Sequence, residues 1–282
     1  MGSFRNKINL ILAVSVIFSV STVNAETSKR VRFIAVGDTG TGDIRQYQVA
    51  KAMKDKCDKD GCDFVIILGD NIYNSGVKSV DDPQFITKFE KPYKDLDLKF
   101  YMTLGNHDYR GNVQAEIDYT KKSKKWTMPG TTYNFNYANV DFFSIDTNNP
   151  TDKQISRLQR DIDRSTGKWK VAFGHHPRYT NGVYKNATGK LADLTDKTLC
   201  GKADIYLSGH EHTKQHLKSV CGVEHLVIGT GAGLRKVGTA YNTLFAKSSY
   251  GFSWFEIDDD KMYFQFIDAL TGKVEYDYTV RK

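Results

Sequence analysis

The stretch Val31-Arg-Phe-Ile-Ala-Val-Gly-Asp-Thr-Gly40 decides the fold: an apolar run with the character of a buried strand ends at a glycine, and an aspartate follows at once. The pattern recurs along the chain. Phe64–Leu68 leads to Gly69-Asp70, with Tyr73 three residues on, and Phe100–Leu104 leads to Gly105-Asn106-His107-Asp108. Val171–Phe173 then leads to His175, and Ile205–Leu207 to Gly209-His210-Glu211-His212. Carboxylate, phenol, amide and imidazole groups thus leave the ends of strands, where an open sheet keeps its ligand sites.

Between these runs lie helical patterns. Asp43–Lys56 carries Ile44, Tyr47, Ala50 and Met53 at near-helical spacing, a first crossover helix with Cys57 at its end. Thr151 and Gln154 read as a capping box after Pro150, with Ile155, Leu158 and Ile162 on one face of the helix that follows. Thr131–Asn136 and Val140–Ile145 read as paired strands with Ala138-Asn139 at the turn. From Glu224 the chain is strand-rich, with Leu226–Ile228, Gly251–Ile257, Met262–Ile267 and Val274–Val280 expected to form a second sheet packed on the first. The fold class is α/β, a four-layer αββα sandwich with its site at the C-terminal ends of the strands.

At 282 residues and 40% hydrophobic content, the chain fits one large domain, 26–282, behind a leader. The leader is 1–25: basic Arg5 and Lys7, an apolar Ile8–Val20, and Val23-Asn24-Ala25 before cleavage after Ala25. A secreted or periplasmic protein with no membrane contact after cleavage is expected. Removing Arg5 and Lys7 lowers the net charge from +7 to +5, and the lysines are dispersed, which argues against nucleic acid as a partner. A positive field suits small anionic substrates. The four cysteines suit an oxidising compartment, and local closure favours Cys57 with Cys62 and Cys200 with Cys221. A monomer is expected.

Two cations held close together need a bridging carboxylate, and Asp70 is the candidate. The residues sort into two unlike sets: Asp38, Asp70, Tyr73 and His212 in one, and Asp70, Asn106, His175 and His210 in the other. A phenol ligand implies a strongly acidifying cation, for which Fe(III) is the natural choice. The second set suits a divalent ion. His216 and His225 fall in no shared pattern and read as packed side chains, as does His176 taken alone.

With these motifs in order, the sequence resembles the purple acid phosphatases of the calcineurin-like metallophosphoesterases. The resemblance rests on Gly37-Asp38-Thr39-Gly40, Gly69-Asp70-Asn71-Ile72-Tyr73, Gly105-Asn106-His107-Asp108, Gly174-His175-His176-Pro177 and Gly209-His210-Glu211-His212. Leu104–Val113 and Lys124-Lys125-Trp126 resemble the small, single-domain, tartrate-resistant type. The resemblance implies Fe(III) in the Tyr73 set and divalent iron, zinc or manganese in the Asn106 set. It also implies His107 as the residue facing substrate, contacting phosphate or protonating the leaving alcohol. Two departures stand out. The loop Arg178–Tyr184 lacks the further histidine of the animal type, leaving His176 and Tyr184 as candidate substrate-binding residues, and Asp146–Thr151 is too short for an exposed loop activated by proteolysis.

The expected function is hydrolysis of small phosphate monoesters at acid pH, by attack of a metal-bound hydroxide on phosphorus. A phosphodiesterase, nucleotidase or phosphoprotein phosphatase on the same centre is the alternative, because specificity lives in loops. A binding protein on an inactive scaffold is a third reading, against which stands the complete ligand set.

Overall fold

The computed structural model describes residues 1–2 and 30–282, so nearly all of the expected leader and its cleavage site lie outside the described residues. The first strands are β1 (Val31–Val36), β2 (Phe64–Ile67), β3 (Lys99–Met102) and β4 (Trp126–Thr127), parallel to one another in that order. Helix α1 (Ile44–Asp60) crosses from β1 to β2, and α2 (Val113–Tyr119) precedes β4. Then come β5 (Tyr133–Tyr137), β6 (Val140–Ser144), α3 (Asp152–Asp163), β7 (Trp169–Phe173), α4 (Gly189–Leu199) and β8 (Ile205–Ser208). The chain finishes with β9 (Lys214–Val220), β10 (Val223–Ile228), β11 (Thr243–Lys247), β12 (Gly251–Ile257), β13 (Lys261–Asp268) and β14 (Val274–Arg281).

Two seven-stranded sheets result, ordered β14-β13-β12-β1-β2-β3-β4 and β11-β9-β10-β8-β7-β6-β5. The αββα sandwich is therefore as expected, but the division of strands is not. The C-terminal run does not build the second sheet: β12 pairs antiparallel with β1, Val31 opposite Ile257 and Phe33 opposite Phe255, and brings β13 and β14 with it. The second sheet comes instead from mid-chain, with β10, carrying Leu226–Ile228, among its strands. The physical reason lies in β1, which is buried along almost its whole length and needs a neighbour on both edges.

The sheets meet through aromatic rings. Phe33 stacks on Phe64 and Phe255 of its own sheet and meets Phe142 of the other edge-on at 5.4 Å. On the outside, α3 and α4 bury Ile155, Leu158, Ile162, Leu194 and Leu199 against Phe143, Ala172 and Tyr206. Thr151 caps α3 by accepting from the Gln154 amide, but the Gln154 side chain serves Asp146 instead of reaching back, so only half of the capping box forms. Helix α1 starts at its cap Asp43 and turns a different face inward from the one expected: Gln46, Val49, Ala50 and Met53 are buried, while Ile44 is exposed. Gln46 is spent on Gly42 and on the Lys88 carbonyl, which fixes the rotation of the helix. The disulfides are Cys57–Cys62 and Cys200–Cys221, as local closure suggested. No helix among the described residues is long and apolar enough to cross a membrane.

At the open ends of the sandwich a buried ion pair ties the sheets. Lys214 of β9, fully buried, lies 2.6 Å from Glu275 of β14 and donates to the Ile267 carbonyl of β13, while Lys247 of β11 reaches the other Glu275 oxygen at 2.6 Å. Removing one member of such a pair strands a charge away from water. Glu275→Gln is expected to lower the unfolding free energy by roughly 3–5 kcal/mol in urea titration, most of it recovered when Lys214→Met is added.

Candidate metal centre

The ends of the parallel strands bring seven of the expected residues to one place. Asp38 follows β1, Asp70 and Tyr73 follow β2, Asn106 follows β3, His175 follows β7, and His210 and His212 follow β8. Asp38, Asp70, His210 and His212 all hold left-handed backbone, with φ of 59°, 53°, 68° and 46°. Only Ala138 and Cys221 do so elsewhere among the described non-glycine residues, so backbone strain is concentrated at this site.

Two groups form. In the first, the Tyr73 hydroxyl donates to Asp38 Oδ1 at 2.9 Å and lies 3.1 Å from His212 Nε2, which is itself 3.1 Å from the same Asp38 oxygen. Asp38, Asp70 and His212 can present one ligand atom each to a common point. Burial alone would raise the Asp38 carboxyl, but the hydrogen bond and charge of His212 hold it down at about 2. Burial, then the charges of Asp38 and Asp70, push the Tyr73 phenol far up, so only a strongly acidifying cation would make it a phenolate ligand.

In the second group, His175 Nδ1 lies 2.8 Å from the Leu68 carbonyl, which only accepts, so the ring donates there and turns Nε2 to the site. That Nε2 faces Asn106 Oδ1 at 3.1 Å, Asp70 Oδ1 at 3.5 Å and His210 Nδ1 at 3.2 Å. Nitrogen and oxygen atoms able to ligate thus converge on one place, a set that suits a cation. Burial, followed by the neighbouring histidines, lowers His210 to about 2, leaving its imidazole neutral and able to ligate.

His107 stands apart from the ligands. Its Nδ1 lies 2.7 Å from the Asn74 carbonyl and so donates, its backbone N–H donates to Asp70 Oδ1, and Nε2 is turned toward the site, 3.9 Å from Asp70 Oδ2. His176 packs 4.4 Å from His210, with Nδ1 2.9 Å from the Thr147 hydroxyl, and burial lowers it to about 3. Tyr184, exposed, lays its ring on His210 at 4.3 Å. His216 and His225 are packed side chains as expected, His216 between Tyr276 and Glu224.

The strand-end pattern did not reveal the supports. Asp108, quoted in the motif without a role, is buried and accepts from the amides of Asn71, Ile72 and Gly105, locking the loops of β2 and β3 together. Thr147 accepts from the amides of both His175 and His176. Arg235 stands over the Tyr184 ring, and Glu211 is buried beneath the 180–184 loop.

Residues 31–214 match the calcineurin-like phosphoesterase family. Purple acid phosphatase 7 of Arabidopsis thaliana is 33% identical over 74% of this chain and 73% of its own length. The chain belongs to the purple acid phosphatases. Tartrate-resistant acid phosphatase type 5 of Homo sapiens is 28% identical over 86% of the chain and 88% of its own. The fold is shared with a purple acid phosphatase from yellow lupin seeds, at TM-score 0.70 and 16% identity over 90% of this chain and 54% of that one. It is shared as well with GAP50, the anchor in the inner membrane complex of Plasmodium, at TM-score 0.78 and 24% identity over 89% of each chain. As a purple acid phosphatase the protein is a metal-dependent phosphoester hydrolase of the acid phosphatase class. Membership implies a dinuclear metal centre, and two clusters here could each hold an ion, Asp38 with Asp70 and His212, and His175 with His176 and His210.

The purple acid phosphatase site tolerates no side chain at Gly105. A Cβ there would lie 2.1 Å from Asp70 Oδ1 and 2.2 Å from the Asp70 amide nitrogen. Gly105→Ala is expected to weaken metal retention at least about tenfold, measured by metal analysis after dialysis, with an unchanged far-ultraviolet circular dichroism spectrum.

Proposed function

We propose that this protein is a secreted or periplasmic, monomeric acid phosphatase that hydrolyses small phosphate monoesters at an Fe(III)–M(II) centre, with M being iron, zinc or manganese. The observation that carries this reading is the convergence of His175 Nε2, Asn106 Oδ1 and Asp70 Oδ1 beside a second, phenol-containing group. Asp38, Asp70, Tyr73 and His212 would hold the ferric ion; Asp70, Asn106, His175 and His210 would hold the divalent one. The two sets differ as the two ions do: oxygen-rich and anionic for Fe(III), softer and richer in imidazole for M(II).

When bound, the pair of cations acidifies water and neutralises charge on the phosphoryl oxygens. The chain's own residues supply orientation and a proton. His107 keeps Nδ1 on the Asn74 carbonyl, which leaves Nε2 directed at the site as the donor to the leaving oxygen. In acid an imidazole carries the proton that this role requires, which supports an acid optimum. His176 and Tyr184 flank His210 on the side where substrate would enter, His176 oriented by Thr147 and Tyr184 by its stacking.

His107→Ala is expected to lower kcat for p-nitrophenyl phosphate about 100-fold with both metals retained by elemental analysis. Loss of the metals in that variant would remove the proton-donor role. Tyr73→Phe is expected to abolish the visible phenolate-to-iron absorption of the purified protein, and an unchanged spectrum would overturn the ferric assignment. Turnover of p-nitrophenyl phosphate well above its bis ester supports the monoester reading; the reverse order supports a phosphodiesterase.

A further inference from the structure

One cation beside the site is left without a counter-charge. The backbone amide of Arg235 donates to the His212 carbonyl, and its guanidinium lies 4.9 Å over the ring of Tyr184. Tyr184 in turn lies 4.3 Å from the His210 ring and nearly parallel to it, so imidazole, phenol and guanidinium form one wall. Within that wall Arg235 Nη1 is buried with no hydrogen-bond partner. A permanently charged donor without an acceptor is unfavourable unless something anionic comes to it.

The surroundings supply no such acceptor. Glu211, the nearest acid in sequence to the ligand histidines, is already committed: its fully buried carboxylate accepts from the Thr180 hydroxyl at 3.1 Å, the Val183 amide at 2.9 Å and the Tyr184 amide at 2.8 Å. Arg178, on the same loop, is neutralised by a two-pronged pair with Asp196, whereas Arg235 has no ion-pair partner among the described residues.

The wall is also fixed in advance. Asn181 accepts from the Gly238 amide through its carbonyl and donates from its side chain to Asn242 and Thr243, so the loop carrying Tyr184 is fastened to the segment carrying Arg235. Gln215 accepts from the Asn181 amide and donates to Thr180. Loops fastened to each other in this way lose little freedom when the wall takes a ligand. Lys185 and Lys236, exposed next to Tyr184 and Arg235 in sequence, add to the same positive field.

We propose that Arg235, seated on Tyr184, is a specificity-determining anion subsite that receives a second negative group, carboxylate or phosphate, on the leaving-group side of the substrate. The inference rests on the phosphomonoesterase reading. Tyr184 is the shared neighbour, its ring 4.3 Å from the His210 ring and 4.9 Å from the Arg235 guanidinium. A substituent carried on an aryl or similarly sized leaving group would bring an anionic group to a cation placed beside the site in this way. A guanidinium fork matches the two oxygens of a carboxylate or phosphate, and its charge makes the bond worth more than a neutral one.

The test compares 4-carboxyphenyl phosphate with its neutral isostere, 4-carbamoylphenyl phosphate, in the wild-type holoenzyme and in Arg235→Gln and Arg235→Lys. The ratio of kcat/KM for the two substrates is expected to fall about tenfold from wild type to Arg235→Gln, and by less in Arg235→Lys, which keeps the charge and loses the fork. In parallel, the matching 4-carboxyphenyl and 4-carbamoylphenyl phosphonates are titrated by calorimetry, and the carboxylate's advantage in affinity is expected to vanish in Arg235→Gln. A substrate ratio and a phosphonate ratio that are the same in wild type and Arg235→Gln would overturn the proposal. If wild type hydrolyses neither phosphate, the monoesterase reading fails and the calorimetric ratio still decides the subsite.

Discussion

The whole site depends on one close approach, where the end of β1 meets the ends of the opposite sheet. Gly37 donates to the Ile228 carbonyl at 2.7 Å and accepts from Gly231 at 3.1 Å, so the two sheets are hydrogen-bonded to each other at the edge where their strands finish. A Cβ on Gly37 would lie 3.2 Å from the Gly209 Cα, which is why a glycine precedes the aspartate here. The same seam continues through neighbouring loops. His175 of one sheet donates to Leu68 of the other, Asn148 donates to the Leu104 carbonyl, and the His210 amide donates to Asp38 Oδ2 at 2.8 Å. Neither sheet owns the centre; it exists because they touch.

That arrangement is unfavourable by itself. Asp38 and Asp70 are buried carboxylates less than fully supplied with donors, and four residues at the site hold left-handed backbone at about 1–3 kcal/mol each. What holds them is the packing behind. Phe33, Phe64, Phe135 and Phe142 interlock across the sheets, and Asp108 gathers three amides from two loops. Positive charge in the site would relieve repulsion among the carboxylates that this packing compels, so binding a cation and stabilising the fold are the same act here.

The candidate centre was more legible in the sequence than the architecture that bears it. Asp38, Asp70, Tyr73, Asn106, His175, His210 and His212 were legible because a buried parallel strand is a continuous apolar run, and its end is marked by glycine and an abrupt change to polar residues. The disulfides were legible because short loops close readily. The placement of β12–β14 was not, because periodicity within a strand says nothing of which sheet it joins; that is settled by the vacant edge of β1. Nor was the buried face of α1, since Gln46 is polar by type and is internal only because Gly42 and Lys88 meet its amide. Asp108 and Thr147 stayed silent for the same reason: a side chain that serves distant backbone amides leaves no local pattern.

Glu211 joins these two kinds of residue. It sits between His210 and His212 in the chain, both in left-handed backbone, and its own side chain is buried beneath the 180–184 loop. There its carboxylate anchors the loop that presents Tyr184, and a Cβ on Gly182 would strike it at 2.2 Å, so the loop must pass directly over it. The strand end that carries the two imidazoles of the candidate centre thereby also fixes the wall beside them. Loop variation can retune what the wall accepts without moving a ligand, as long as an acceptor remains at position 211. The proposed recognition and metal-binding roles would thus be separable in residues while sharing a single turn of chain.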